Sequence, residues 1–245
     1  MADISAHRGG SEYARPATYE AYRHALESGA EYAELDIRKT KDKVLVVHHD
    51  ARTGHTGPRV ADLAYRELCD RLGYVVPEVK DVMALLAGKL IGHLDLKEIG
   101  YEQEVIDLAL ASLGPGNFIA TTLEDVSVRH IKRAFPEVRT ALSLGRDNKE
   151  IAWRRWLNVR RSELFPLDRI RACGADWVAV NYRLGQFRVI SACRQAGIGV
   201  MVWTVDADEL IDQFVVDDRI AVLITNRPEY AAARRAQLTA GSRQC

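Results

Sequence analysis

Thiols, net charge and long apolar runs are all scarce in this chain, and each scarcity removes a class of function. Four cysteines, Cys69, Cys173, Cys193 and Cys245, are scattered through 245 residues. None shares a CxxC or Cys/His spacing with another, so a zinc–thiolate centre and a disulfide framework are excluded, and the thiols read as reduced and mostly buried, with Cys245 a tail residue. Lys+Arg and Asp+Glu number 34 each, so there is no global field to hold nucleic acid or an acidic membrane. An anionic substrate has to be met locally. No window approaches the roughly 18 apolar residues of a membrane span, and the opening MADISAHRGG has no basic region followed by an apolar run. The expectation is a cytoplasmic protein with no nucleic-acid partner and no transmembrane segment. HRGG, after the first strand-like run, lacks the third spaced glycine of a dinucleotide-binding turn, and no Pro/Gly/Ser-rich linker divides the chain.

What is present is an alternation. Strand-like runs recur as DISAH (3–7), YAELDI (32–37), KLIGHLDL (89–96), NFIATT (117–122), VRTALSL (138–144), DWVAVNY (176–182), IGVMVWTV (198–205) and IAVLITN (220–226). Helix-like segments such as TYEAYRHALESGA, YEQEVIDLALASLG and LEDVSVRHIKRAF fall between them, several closing on a glycine (Gly29, Gly114, Gly197). With 47% hydrophobic residues the chain can fill a large core. Eight such units predict an α/β fold, a single (β/α)8 TIM barrel domain over 1–245 with a small insertion after strand 2; an open doubly wound sheet is the alternative. KDKVLVVHHDARTGHTG reads as an extra strand and loop, 51–88 as the insertion and its helices, and 240–245 as a loose tail. Long loops at strand ends usually build a barrel's site.

The stretch AELDIRKTKDKVLVVHHD (33–50) sets carboxylates and histidines among branched aliphatics, where an unpaired charge is costly. At the C-terminal ends of barrel strands, side chains face the active site. Those positions carry His7, Arg8, Glu34, Asp36, His49, Asp50, Asp95 and Lys97. Glu34 and Asp36 are two apart on a strand and point to one side, and Asp95 and Lys97 repeat the spacing. Three convergent carboxylates without thiolates suit a hard divalent cation, Mg²⁺ or Ca²⁺. The bland readings are neutralisation of Glu34 and Asp36 by Arg38 or Lys39, and an internal Asp95–Lys97 ion pair. Independent ion pairs, however, would not all fall on one rim.

Taken together, AHRGG, ELDI, TKDKVLVVHHD, HLDLK, VWTVD and ITNRP resemble the glycerophosphodiester phosphodiesterase family, whose pattern is His-Arg-Gly, Glu-x-Asp, a Thr-x-Asp-x-x-x-Val run into His-Asp, and Glu-x-Lys. The resemblance spans nearly the whole chain. It implies a (β/α)8 barrel and metal-dependent hydrolysis of glycerophosphodiesters, such as glycerophosphocholine, to an alcohol and sn-glycerol 3-phosphate. It makes Glu34, Asp36 and Asp95 the ligands of one divalent cation, His7 and His49 an acid/base pair, and Arg8 and Lys97 the phosphate-binding cations. The family's His-Asp pairing selects His49; His48, on the opposite side of an extended segment, has no role.

Some positions depart from the family. Its Glu-Asn-Thr after His-Arg-Gly is PAT here, with Pro16 for the Glu, Ala17 for the Asn, and Thr18 kept; Glu12 and Glu20 are the candidate substitutes for the lost carboxylate. Asp95 replaces the common Glu, and Asn226 an Asp. These departures are similar to the sphingomyelinase D/lysophospholipase D branch, which acts on lysolipids and can stop at a cyclic phosphate; that branch's disulfide loop is absent, since no cysteine lies near 51–57. An inactive phosphate-binding barrel is the third reading, and retention of both histidines argues against it. The expected partner is a small-molecule glycerophosphodiester or a lysophospholipid. Trp203 is expected either at the mouth as a substrate contact or in barrel packing. AWRRWLNVRR (152–161) reads as a lid helix with Trp153 and Trp156 inward, a weak peripheral membrane contact being the alternative. His55 reads as a loop residue.

Overall fold

The computed structural model describes residues 1–145, 162–184 and 188–242, so the AWRRWLNVRR segment and Cys245 lie outside the described residues. The strands are β1 (Asp3–Ala6), β2 (Tyr32–Lys39), β3 (Leu45–Val47), β4 (Ile91–Leu96), β5 (Phe118–Thr122), β6 (Thr140–Leu144), β7 (Trp177–Asn181), β8 (Gly199–Trp203) and β9 (Val222–Thr225). All but β3 pair in parallel, in chain order, and β1 bonds to both β2 and β9. The sheet therefore closes into an eight-stranded barrel with no open edge, as the alternation predicted. β3 is the insertion: it runs antiparallel to the end of β2, with Ile37 opposite Val47 and Lys39 opposite Leu45.

The longer described helices are α1 (Tyr19–Ala25), α2 (Tyr65–Leu72), α3 (Val79–Leu86), α4 (Glu102–Ser112), α5 (Asp125–Ala134), α6 (Leu167–Cys173), α7 (Ile190–Gln195), α8 (Asp208–Val215) and α9 (Pro228–Ser242). Thr18, kept from the family pattern, caps α1: its Oγ1 accepts from Ala21 N at 3.2 Å. α9 runs on to Ser242, inside the stretch expected as a loose tail. Among the described residues no helix is long and apolar enough to cross a membrane.

The core is layered as a barrel requires. Strand residues facing outward, such as Leu35, Ile37, Leu94 and Leu96, pack with helix residues such as Val82, Val105, Ile106 and Ile211. Inside, Tyr32, Ile119, Ala141, Ala179, Met201 and Val222 form a separate apolar plug, with Trp177 against it. Gly199 is what lets Trp177 in: a Cβ there would meet its indole ring at 2.5 Å. A third cluster of Val46, Val60, Leu63, Leu68 and Val76 packs β3 and α2 onto the barrel's flank. Leu68 is fully buried in it, worth about 2 kcal/mol of apolar burial. That small core steadies the chain around His49. The thiols of Cys69, Cys173 and Cys193 are free, and burial pushes that of Cys193 up to about 11.

Candidate active site

Strand register builds the site. β2 and β4 pair so that Glu34 lies opposite His93 and Asp36 opposite Asp95, and β5 sets Thr121 beside Asp95. In-register parallel neighbours point to the same side of a sheet, so Asp36, Asp95 and Thr121 form one row inside the barrel, above Glu34 and His93. Carboxylate oxygens of Glu34, Asp36 and Asp95 all lie within 4.8 Å of one another. They open onto a cleft of about 630 Å³ lined also by His7, Arg8, His49, Lys97, Trp203 and Asn181. Of the residues expected in the site, all but Asp36 and Asp50 line this cleft; Asp36 is fully buried beneath it. His48 and His55 do not line it.

The HRG turn after β1 is strained where it matters. Arg8 sits at φ 54°, ψ 33°, a left-handed conformation that costs a side chain roughly 1–2 kcal/mol. It is held by Arg8 N donating to Glu34 Oε2 at 2.8 Å and by its Nε lying 2.7 Å from Asp36 Oδ2. Gly9 follows at φ +80°, with α1 so close that a Cβ would meet Ala21 C at 2.8 Å. The glycine of the motif thus lets α1 pack against the turn that aims His7 and Arg8.

Asp36 is the electrostatic centre. Lys97 Nζ lies 2.6 Å from its Oδ1, Arg8 reaches its Oδ2, and Lys97 also pairs with Asp95. Yet neither Asp36 oxygen, nor Arg8 Nε, has a well-aligned hydrogen bond. Close charges without aligned donors leave both oxygens with lone pairs for another electropositive partner. Burial works to raise the Asp36 carboxyl, but Lys97 and Arg8 outweigh it and hold it well below the usual range. Burial, with Asp36 adding to it, pushes Glu34 well above that range. Burial works to lower Lys97, and Asp95 and Asp36 reverse that, raising it so that it stays cationic.

This donor set fits a divalent cation. All three groups offer hard oxygen, and Glu34 favours its protonated form only while no cation offsets its burial. With Glu34 ionised, three carboxylates against Arg8 and Lys97 leave one negative charge. A divalent ion held there would turn that into one positive charge. The bland reading through Arg38 and Lys39 does not describe these residues: Arg38 donates to His49 O and to Glu98, and Lys39 pairs with Glu104. The Asp95–Lys97 ion pair does form, but as part of the rim and shared with Asp36.

The histidines differ in their backing. His49 Nδ1 lies 2.7 Å from Asp50 Oδ1, and its carbonyl is gripped by Arg38 Nε and Nη2 at 2.9 and 2.7 Å. His7 Nδ1 lies 2.7 Å from Asn226 Oδ1, and burial, then the Arg8 charge, lower it to about 4. Neither proposed substitute for the lost family Glu is at the site. Glu12 accepts from the backbone N–H of Glu229 at the start of α9, and Glu20 is exposed on α1. Ala17 keeps a left-handed φ of 60° where the family has Asn.

Inspection of the sequence missed His93 and Thr121. His93 is buried, its Nδ1 3.1 Å from Ser5 Oγ and its Nε2 3.1 Å from Thr121 Oγ1, while Thr121 Oγ1 donates to Asp95 Oδ1 at 2.7 Å. Because the threonine hydroxyl gives its proton to the carboxylate, it accepts from His93 Nε2–H, and Ser5 donates to Nδ1. Burial lowers His93 to about 4, so it is neutral. Its signal was its place two residues before Asp95, on the same strand face. Trp203 lines the cleft and donates from Nε1 to Ala179 O at 3.1 Å, so it serves both barrel packing and the mouth.

Known proteins carry the same pattern. The profile of the Glycerophosphoryl diester phosphodiesterase family matches residues 7–230. A glycerophosphodiester phosphodiesterase of Caldanaerobacter subterraneus subsp. tengcongensis is 24% identical over 245 residues, covering 92% of this chain and 94% of that protein. The crystal structure of a glycerophosphodiester phosphodiesterase from Agrobacterium tumefaciens superposes with a TM-score of 0.74 at 23% identity, covering 96% of this chain and 100% of the other. An Oleispira antarctica phosphodiesterase in complex with the product sn-glycerol-3-phosphate does so at 0.74 and 17% identity, covering 95% and 96%. At such identities the superpositions speak for the fold. The profile match from His7 to Tyr230 speaks for more: the chain belongs to the glycerophosphoryl diester phosphodiesterase family and is an enzyme of that class.

Proposed function

We propose that this protein hydrolyses water-soluble glycerophosphodiesters, with glycerophosphocholine as a representative, to the free alcohol and sn-glycerol 3-phosphate. The observation that carries the reading is the convergence of His7, Arg8, Glu34, His49, Asp95 and Lys97 on one side of one cleft, with Asp36 beneath. A divalent cation bound by Glu34, Asp36 and Asp95, Mg²⁺ or Ca²⁺, supplies Lewis-acid polarisation of the phosphoryl oxygens. Arg8 and Lys97 bring fixed positive charge to the same oxygens as negative charge builds on them. Their ion pairs with Asp36 hold both side chains in place before substrate arrives.

The two histidines divide the proton transfers. His7 is backed by a neutral amide and resists protonation, so it takes the proton from the attacking hydroxyl: water directly, or the neighbouring hydroxyl of the glycerol, whose cyclic phosphate water then opens. His49, its Nδ1 held 2.7 Å from Asp50 Oδ1, is the partner that returns a proton to the departing alcohol oxygen. Trp203 and Asn181 face this chemistry across the cleft and contact the alcohol being released.

The test is incubation of the purified protein with Mg²⁺ or Ca²⁺ and, in parallel, glycerophosphocholine and lysophosphatidylcholine, read by phosphorus NMR. The reading requires sn-glycerol 3-phosphate from the soluble diester. A cyclic phosphate from the lysolipid alone would replace it with a lysophospholipase D activity, and no turnover of either with any divalent ion would leave a phosphate-binding barrel.

A further inference from the structure

We propose that Asn226 and Asp206, two residues with no role so far, are positioning residues that fix the tautomer of His7, placing its proton on Nδ1 and its lone pair on Nε2. The assignment rests on the reading of His7 as the base.

Asn226 follows β9, and its side chain joins two groups. Its Nδ2 lies 2.7 Å from Asp206 Oδ2, and its Oδ1 lies 2.7 Å from His7 Nδ1. A carboxylate oxygen accepts hydrogen bonds and cannot donate them, so the end of the amide that faces Asp206 must be its NH₂. The carbonyl end therefore faces His7. A carbonyl oxygen only accepts, so Nδ1 must carry the imidazole proton. A neutral imidazole has one N–H, which leaves the lone pair on Nε2.

Asp206 is itself held in place. Its Oδ1 accepts from Asn226 N at 2.8 Å and from Thr225 Oγ1 at 3.1 Å, and its backbone carbonyl accepts from Arg227 Nη1 at 2.9 Å. Asn226 O in turn accepts from Ser11 N at 2.8 Å, tying the segment after β1 to the end of β9. The other charges near the imidazole are Arg8, Asp36 and Lys97. Arg8 and Lys97 are donors spent on Asp36, so Asn226 Oδ1 is the acceptor recorded for Nδ1.

This arrangement differs from a direct His–carboxylate pair in one respect. The carboxylate sets the orientation of the amide, but the amide keeps the negative charge one group away from the ring. His7 thus receives the orientation of a carboxylate-backed histidine without the attraction that would hold a second proton on it.

Two measurements test this. The first uses the wild-type full chain labelled with ¹⁵N-histidine: the ring nitrogens of His7, assigned against His7→Gln, report the tautomer between pH 6 and 8. The proposal requires Nδ1–H throughout, and an Nε2–H tautomer would overturn it without any variant having to fold. The second compares Asn226→Ala with the exchange Asn226→Asp/Asp206→Asn, which conserves net charge and shape but puts the carboxylate on the ring. Asn226→Ala should lose the single tautomer and about 10²-fold in kcat, with KM within about threefold. The exchange should keep Nδ1–H and raise the midpoint of His7 protonation, and of the acid limb of kcat/KM, by at least about one pH unit. Unchanged spectra and pH profiles in both variants would defeat the relay. If His7→Gln kept full turnover while the wild-type tautomer was Nδ1–H, the relay would stand and the catalytic reading of His7 would fall.

Discussion

Around a single cleft, the ends of β1, β2 and β4 present His7, Arg8, Glu34, Asp95 and Lys97, whereas the ends of β6 to β8 present Ser143, Asn181 and Trp203, with Arg183 beyond them. Both halves rest on the same kind of parallel ladder and the same outer shell of helices. They differ in what their charges lean on. In the first half each ionised group has an opposite charge within reach: Asp36 touches Arg8 and Lys97, and Lys97 touches Asp95. A buried charge is tolerable only in such company, so charge accumulates where some already exists. In the second half the described side chains that line the cleft are uncharged apart from Arg183, so this half can be shape instead. In the proposed reaction the first half makes and breaks bonds at phosphorus while the second half fits the alcohol.

The largest effects should come from the charged half. Asp36→Asn should cut kcat/KM on the order of 10³-fold, because it removes the partner of two cations and one oxygen donor at once. His49→Ala should lose about 10²–10⁴-fold by the removal of proton transfer, and His48→Ala less than about threefold. Equal losses at the two adjacent histidines would undo the assignment. Treatment with EDTA should remove activity, and Mg²⁺ or Ca²⁺ should restore it. On the neutral half, Trp203→Ala should raise KM about tenfold and leave kcat within about threefold. A kcat loss comparable to that of Asp36→Asn would erase the distinction between the halves.

A smaller effect concerns stability. His93 is buried and lowered from 6.5 to about 4, so the folded protein refuses a proton that the unfolded chain accepts below pH 6.5. Its contribution is therefore constant above 6.5 and is lost as pH falls toward 4, at up to about 1.4 kcal/mol per unit. Because Glu34, raised by burial, titrates with the opposite sign, the loss is read as a difference: in urea denaturation, stability should fall by more from pH 7 to pH 5 in the wild type than in His93→Asn. Smallest of all, Ala17→Gly relieves a left-handed alanine and should add roughly 0.5 kcal/mol, seen as a rise in Tm of a few degrees at most.

The barrel and the acidic rim were readable in the sequence because both follow from short periods. Alternating strand and helix runs give the fold, and spacing of two places Glu34 with Asp36 and Asp95 with Lys97. Register between strands is not written in any one segment. That Asp36 lies level with Asp95, or that Thr121 braces Asp95, depends on how β2, β4 and β5 slide past one another. The contact of His7 with Asn226 joins residues 219 positions apart and exists only because the barrel closes. Arg38 shows the reverse failure. On spacing alone it was a plausible neutraliser of Glu34 and Asp36, but the antiparallel β3 brings His49 O and the site rim within its reach instead.

That grip has a wider consequence. His7 is carried by a barrel strand, but His49 is carried by a hairpin with its own small core, fastened to β2 by backbone pairing and by Arg38. The hairpin is therefore a cassette: exchanged as a block from Thr40 to Val76 with Arg38 and His49 retained, it would change what surrounds His49 and leave the other cleft-lining residues of the barrel as they are. An evolving or engineered lineage can alter the surroundings of one histidine there while the barrel's own rim stays fixed.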